Sequence, residues 1–272
     1  MNLESVVELN NGVKMPWVGF GVFLTEPGRE VEESVASAIE IGYRHIDTAA
    51  YYENEAGVGK SLRASGVPRE RFFVTTKVWN SDQGYERTLK AFAASKKALG
   101  LDYIDLYLVH WPVRGLYTDS YRAMEKLYRE GEVRAIGVSN FLVHHIEHLT
   151  RECQVVPAVN QIEFHPFLQQ PELLAYCRGR GIQVEAWSPL TRGRRLDHSV
   201  IVAIAAKHSR SPAQILLRWD LQRQIVTIPK SVHAPRIREN SQLFDFELDA
   251  DDMQALDGLD EGSRIGPDPD TF

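Results

Sequence analysis

Four side chains of this sequence could together tune a proton. A tyrosine hydroxyl has a pKa near 10 and is a weak acid at neutral pH. A neighbouring ammonium favours the phenolate and lowers that value, and a carboxylate beside the lysine keeps it charged and oriented. Asp47, Tyr52, Lys77 and His110 supply these types, and the histidine can hydrogen-bond and position a carbonyl oxygen. Such a set predicts a tuned acid beside a carbonyl-binding point, able to give a proton as negative charge builds on oxygen. No metal-ligand cluster accompanies it, so an organic hydride donor is the expected missing half. His144, His145 and His148 are the nearest approach to such a cluster. His144 and His148 fall one helical turn apart, but no acidic or thiol partner is evident, so a solvated helix face is expected.

These residues are far apart in the chain and need elements that bring them together. Short β-branched runs alternate with longer amphipathic segments, the pattern of βα units on a parallel sheet. Strands are predicted over 17–22, 43–47, 72–76, 104–110, 135–139, 158–163, 183–187 and 226–229. Helices are predicted over 31–41, 86–99, 120–128 and 213–221, the first three ending at Gly42, Gly100 and Gly131. The last gap between strands has room for one extra helix. Residues 6–9 and 13–15 read as a hairpin about Asn10-Asn11-Gly12. The expected architecture is α/β, a (β/α)8 TIM barrel whose N-terminal hairpin closes the bottom, with residues 1–272 as one domain.

A doubly wound open sheet is the competitor. Against it, no G-x-G-x-x-G turn follows an early strand, and Gly57-Val58-Gly59-Lys60 lacks both the glycine spacing and the strand before it. In a barrel the catalytic groups lie at the C-terminal ends of different strands. Those ends hold Asp47 with Tyr52 nearby, Lys77, His110, Ser139-Asn140, Gln161, Trp187-Ser188 and Lys230-Ser231.

Composition removes other classes. Lys and Arg total 31 against 37 Asp and Glu, a formal −6, so nucleic acid is not expected as the main partner. No apolar run approaches a membrane span and no signal peptide opens the chain, so neither a membrane nor secretion is expected. Cys153 and Cys177 read as buried small residues in a reducing, cytoplasmic setting.

At this level of detail the chain resembles the aldo-keto reductases. The likeness runs from Gly19-Phe20-Gly21-Val22 to Phe244-Asp245-Phe246. Gly42-Tyr43-Arg44-His45-Ile46-Asp47-Thr48-Ala49, with Tyr52 and Asn54-Glu55, is similar to the first family signature. Leu106 to Pro112 and Gly137 to Phe141 resemble the second region. Ile228-Pro229-Lys230-Ser231, Arg236 and Glu239-Asn240 resemble the cofactor motif.

The resemblance implies an NADPH-dependent carbonyl reductase in which Tyr52 gives the proton, Lys77 and Asp47 tune it, and His110 orients the carbonyl. By the same likeness Ser139, Asn140 and Gln161 hold the nicotinamide carboxamide, and Trp187 stacks on the ring. Val22, Asp47, Ser188, Leu190 and Val232 are further cofactor neighbours. Lys230, Ser231 and Arg236 take the adenosine 2′-phosphate, with Glu239 and Asn240 near the adenine. The physical reading agrees, since Lys and Arg beside a hydroxyl suit a dianionic phosphate. Arg192, Arg194 and Arg195 are expected as a strap over the pyrophosphate.

Phe23, Trp79 and Trp111 follow strand ends, where they would wall a pocket for a small-molecule carbonyl substrate. The segments 112–119 and 191–198 and the tail after Gly262 are short, which predicts an open pocket. The branch most resembled is that of bacterial 2,5-diketo-D-gluconate and glyoxal or methylglyoxal reductases, on the stretch Val78 to Tyr85. Small α-oxoaldehydes therefore stand first as substrates, and 2,5-diketo-D-gluconate second. A monomer is expected. Two rivals are a Schiff-base aldolase using Lys77 and a non-catalytic NADPH-binding regulatory subunit.

Overall fold

The computed structural model describes residues 1–272. A two-stranded antiparallel sheet, β1 (Val6–Glu8) and β2 (Lys14–Pro16), is separate from the main sheet. Its turn places Gly12 at φ +81°, a left-handed conformation that suits glycine, while Gly12 N donates to Leu9 O at 2.9 Å.

Eight parallel strands then form a nearly closed barrel. They are β3 (Gly19–Gly21), β4 (His45–Asp47), β5 (Phe73–Val78), β6 (Ile104–Val109), β7 (Val133–Ser139), β8 (Val159–Glu163), β9 (Gln183–Trp187) and β10 (Val226–Thr227). They pair in chain order from β3 to β10. The ring is joined by Thr227 N to Trp17 O at 3.1 Å and Gly21 N to Pro229 O at 3.2 Å. Every predicted strand is present, all but β9 with an end shifted by one or two residues. One shift matters for chemistry: β5 runs to Val78, so Lys77 lies inside a strand and points into the barrel.

The helices are α1 (Arg29–Ile41), α2 (Glu55–Ala64), α3 (Tyr85–Leu99), α4 (Tyr117–Arg129), α5 (Val143–Glu152) and α6 (Pro171–Gly179). After them come α7 (Ser199–His208), α8 (Pro212–Gln222), α9 (Ala234–Glu239) and α10 (Ala250–Asp257). Two helices, α7 and α8, fill the gap before β10, as the spacing requires. Ser211 caps α8 with a reciprocal bond to Gln214 and Pro212 at the first helical position. Gly57 and Gly59 lie on α2, and neither cradles a phosphate. A Cβ at Gly57 would overlap Val31 of α1, and one at Gly59 would overlap the Leu99 carbonyl of α3.

Two apolar clusters divide the work. The larger one lies mainly between the barrel and its helices. In the smaller one, Leu9 and Met15 of the hairpin meet Phe73, Leu106, Ala135, Val159 and Val226, so the hairpin plugs the N-terminal end of the barrel. Polar chemistry is left to the other end. No helix is long and apolar enough to cross a membrane.

Candidate active site

A cavity of about 890 Å³ opens at the C-terminal end of the strands. Asp47, Tyr52 and His110 line it, and Lys77 lies just beneath, fully buried. Each is placed by its element. Asp47 ends β4, Lys77 is the penultimate residue of β5, and His110 follows β6 with its N–H on Val78 O at 3.2 Å. Tyr52 ends a one-turn helix after β4. Buried Asn54 fixes that loop, donating to Val22 O at 3.0 Å and Thr25 O at 3.1 Å and accepting from Thr48 at 2.8 Å.

Lys77 Nζ spends its three hydrogens on Asp47 Oδ1 at 2.7 Å, Thr48 O at 3.0 Å and the Tyr52 hydroxyl at 3.5 Å. Burial is the largest influence on this ammonium and disfavours its charge. Asp47, the Tyr52 hydroxyl and Glu185 together outweigh it, and the pKa stands above the ordinary value. Lys77 is therefore held in its charged form, which weighs against the Schiff-base reading. Tyr52 departs from the expectation of a lowered pKa. Burial raises it, and the opposing Lys77 charge does not restore it, so the resting tyrosine keeps its proton.

Burial, then the Lys77 charge, also holds His110 well below the usual imidazole range, so its ring is neutral. Its Nδ1 is buried without a partner. A bare lone pair is tolerated there better than an orphaned N–H, which places the ring proton on Nε2.

Beneath the tetrad lies a polar layer of which sequence reasoning singled out Gln161 but not Glu185 or His45. Gln161 Nε2 donates to Asp47 Oδ2 and Glu185 Oε2, both at 2.8 Å. Two carboxyl groups consume both amide hydrogens, so the Gln161 carbonyl oxygen is the atom left for the cavity. Glu185 is fully buried, and burial with the nearby Asp47 charge raises its pKa far above the carboxylate range. His45 stands 3.5 Å from Glu185 Oε1 and 3.2 Å from Thr75 Oγ1. Burial depresses it to about 3, so it is neutral. Strand alternation alone marks Glu185 as inward-facing, the one signal that could have found it.

Asn140 sits at φ +64° directly after β7. Its amide donates to His110 O at 2.9 Å and Ser139 Oγ at 3.1 Å and accepts from the Trp187 indole at 2.7 Å. One residue thus ties the histidine to the tryptophan. Gln161 Oε1 and the second lone pair of Asn140 Oδ1 remain as acceptors for an amide N–H.

Ser188, Leu190, Lys230, Ser231, Arg236, Glu239 and Asn240 continue the same cavity wall. Ser231 Oγ accepts from His233 N at 3.1 Å, which leaves its O–H free to donate. Lys230 Nζ reaches Leu24 O at 2.9 Å. Two of the expected cofactor neighbours are absent from this wall. Val22 turns into the core with no exposed surface, and half-buried Val232 does not line the cavity. The arginine strap is only partly as expected. Arg192 lines the cavity with its guanidinium 5.5 Å from the Phe23 ring, whereas Arg195 turns away to Glu261 at 2.9 Å.

The remaining wall is aromatic. Phe23, Trp79 and Trp111 line it as predicted, joined by Tyr51, Pro267 and Phe272. Tyr51 stacks on Trp79 with centroids 3.8 Å apart, and Phe272 stacks on Trp111 at 4.4 Å. The short tail therefore does not leave the pocket open. Ile265 and Gly266 donate their N–H groups to the Glu163 carboxylate at 2.6 and 3.0 Å, and the tail then crosses the cavity wall. It also supplies the acid that the histidines lacked: Asp270 Oδ1 is 2.9 Å from His144 Nε2 and 3.4 Å from His145 Nε2. His148 turns instead to the Tyr117 hydroxyl at 2.8 Å.

A family model described as the aldo/keto reductase family matches residues 24–261. Glyoxal reductase of Bacillus subtilis is 57% identical over 269 residues, covering 99% of this chain and 98% of that one. Methylglyoxal reductase DkgA of Salmonella typhimurium is 47% identical over 272 residues, covering 98% of each. Among solved structures, a Gox0644 mutant in complex with NADPH superposes with a TM-score of 0.94 at 44% identity, covering 98% of each chain.

Proposed function

The chain belongs to the aldo/keto reductase family, and on that premise we propose that it reduces small α-oxoaldehydes such as methylglyoxal and glyoxal with NADPH, Tyr52 giving the proton. One observation carries this reading. A charged lysine is held between Asp47 and the Tyr52 hydroxyl, beside a neutral His110, in a cavity walled by aromatic rings.

The residues present fit the cofactor. The open oxygens of Gln161 and Asn140 suit its carboxamide N–H, and Trp187 suits its ring. Lys230, Ser231 and Arg236 suit the 2′-phosphate, with Glu239 and Asn240 at the adenine. When bound, NADPH supplies the hydride. His110 Nε2–H holds the carbonyl oxygen, and Tyr52 transfers its proton to that oxygen as charge develops there. The tyrosinate left behind is stabilised by Lys77, whose own charge Asp47 maintains. Tyr52 regains a proton before the next cycle, so one aldehyde, one NADPH and one proton give one alcohol and NADP+.

A second reading rests on Arg192. Its position over Phe23 gives the mouth of the cavity a cation suited to a carboxylate, which favours 2,5-diketo-D-gluconate. The relatives named for glyoxal and methylglyoxal and the uncharged ring wall favour the first. Loss of NADPH absorbance on adding methylglyoxal, set against a carbonyl panel, tests both. Activity confined to bulky apolar ketones would refute them. Selective loss on the sugar acid in Arg192→Ala would favour the second.

A further inference from the structure

His144 and His145 open α5, and Asp270 comes from the far end of the chain. The ligand atoms of the three all lie within 4.8 Å of one another, two of the separations being 2.9 and 3.4 Å. Around a tetrahedral zinc ion with bonds of about 2.0–2.1 Å, ligand atoms lie about 3.3 Å apart. The two separations from Asp270 are therefore close to those an ion would impose. Two imidazoles and one carboxylate suit a zinc-class ion and suit magnesium or calcium poorly, since those prefer all-oxygen shells. His144 and Asp270 are more than half exposed, so water has access to complete the shell.

We propose that His144, His145 and Asp270 bind a zinc-class divalent ion, and that the bound ion pins the tail across the carbonyl-binding end of the cavity. Asp270 lies between Pro267 and Phe272, both in the cavity wall, and Phe272 covers Trp111 beside His110. Without metal, the tail is held here by the close approach of the Asp270 carboxylate to two imidazoles, at 2.9 and 3.4 Å. With the ion on Nε2 of each neutral ring, the ring proton sits on Nδ1, and metal bonds replace those contacts. At His145 binding also gives up the 3.2 Å bond from Leu142 N, one long hydrogen bond exchanged for coordination. Loosening of the tail, which admits and releases substrate under the function proposed above, becomes slower.

Calorimetric titration of the full chain with zinc tests the site without reference to activity, and the visible spectrum of a cobalt(II) complex reports nitrogen and oxygen coordination. The expected result is one ion per chain, with no comparable heat from magnesium. Loss of an outer-shell partner alone costs about 10- to 100-fold in metal affinity, so His144→Asn and Asp270→Asn should each weaken binding at least tenfold. Zinc should also lower kcat/KM for methylglyoxal with a midpoint at the calorimetric Kd, and Asp270→Asn should need at least tenfold more. Absence of a site, or equal affinity in folded variants, overturns the proposal. Binding lost in the variants while zinc leaves wild-type turnover untouched overturns the pinning.

Discussion

Lys77 reaches the Tyr52 hydroxyl only at 3.5 Å, the longest of its three contacts. Its grip on Asp47 is far closer, at 2.7 Å. The ammonium is thus anchored by the carboxylate and aimed at the tyrosine, and its interaction with Tyr52 strengthens once the hydroxyl has lost its proton. Replacing Tyr52 by Phe should lower kcat by about 10²–10⁴-fold, the usual contribution of a positioned proton donor. NADPH affinity measured by calorimetry should stay within about twofold, because the hydroxyl binds no part of the cofactor in the mechanism proposed. Unchanged turnover would sink that mechanism.

Arg236 is exposed and carries the phosphate assignment through charge alone. A hydrogen bond to a charged group is worth about 1.5–3 kcal/mol, so Arg236→Ala should weaken NADPH by about tenfold or more. NADH has no 2′-phosphate and should be nearly indifferent. An equal loss for both cofactors would remove the arginine from that role.

Glu185 makes stability depend on pH with an unusual sign. An unfolded glutamate titrates near 4.3, whereas the buried group ionises far higher. Between those values the unfolded chain has lost a proton that the native chain keeps, so its contribution is full in acid and is lost as pH rises. Glu185→Gln removes this slope and keeps an acceptor for Gln161. Melting temperatures of the two proteins should therefore move in the variant's favour between pH 5 and pH 8. A difference independent of pH would show that Glu185 is ionised in the fold.

Gly59 is a packing residue with a definite cost of substitution. A methyl group there meets the Leu99 carbonyl, backbone that has no rotamer to yield. Gly59→Ala should cost about 1–3 kcal/mol, a fall of roughly 2–10 °C in Tm. An unchanged melting point would mean that α2 and α3 separate freely.

Much of this was legible because periodicity and strand ends are local. Alternating apolar runs marked all eight barrel strands, and the ends of those strands marked Asp47, His110, Asn140 and Gln161. What stayed hidden depends on distance in the chain. Phe272 against Trp111, Asp270 against His144, and Arg195 against Glu261 join segments that no sequence window contains. Val22 shows the reverse case: it adjoins the site in sequence, yet its side chain is buried in the core. Tyr52 failed differently, since its residue type named the neighbour that lowers its pKa and said nothing of the burial that raises it.

The aromatic wall has an optical consequence. Of five tryptophans, Trp79, Trp111 and Trp187 border the cavity, each against a partner: Tyr51, Phe272 and Asn140. Trp219 is sealed against Phe164 with no exposed surface. Light emitted by the protein thus comes from two lamps away from the cavity, Trp219 in the core and Trp17 beside the hairpin, and three lamps in the doorway. Whatever enters the doorway, or shifts the tail across it, changes only the second group.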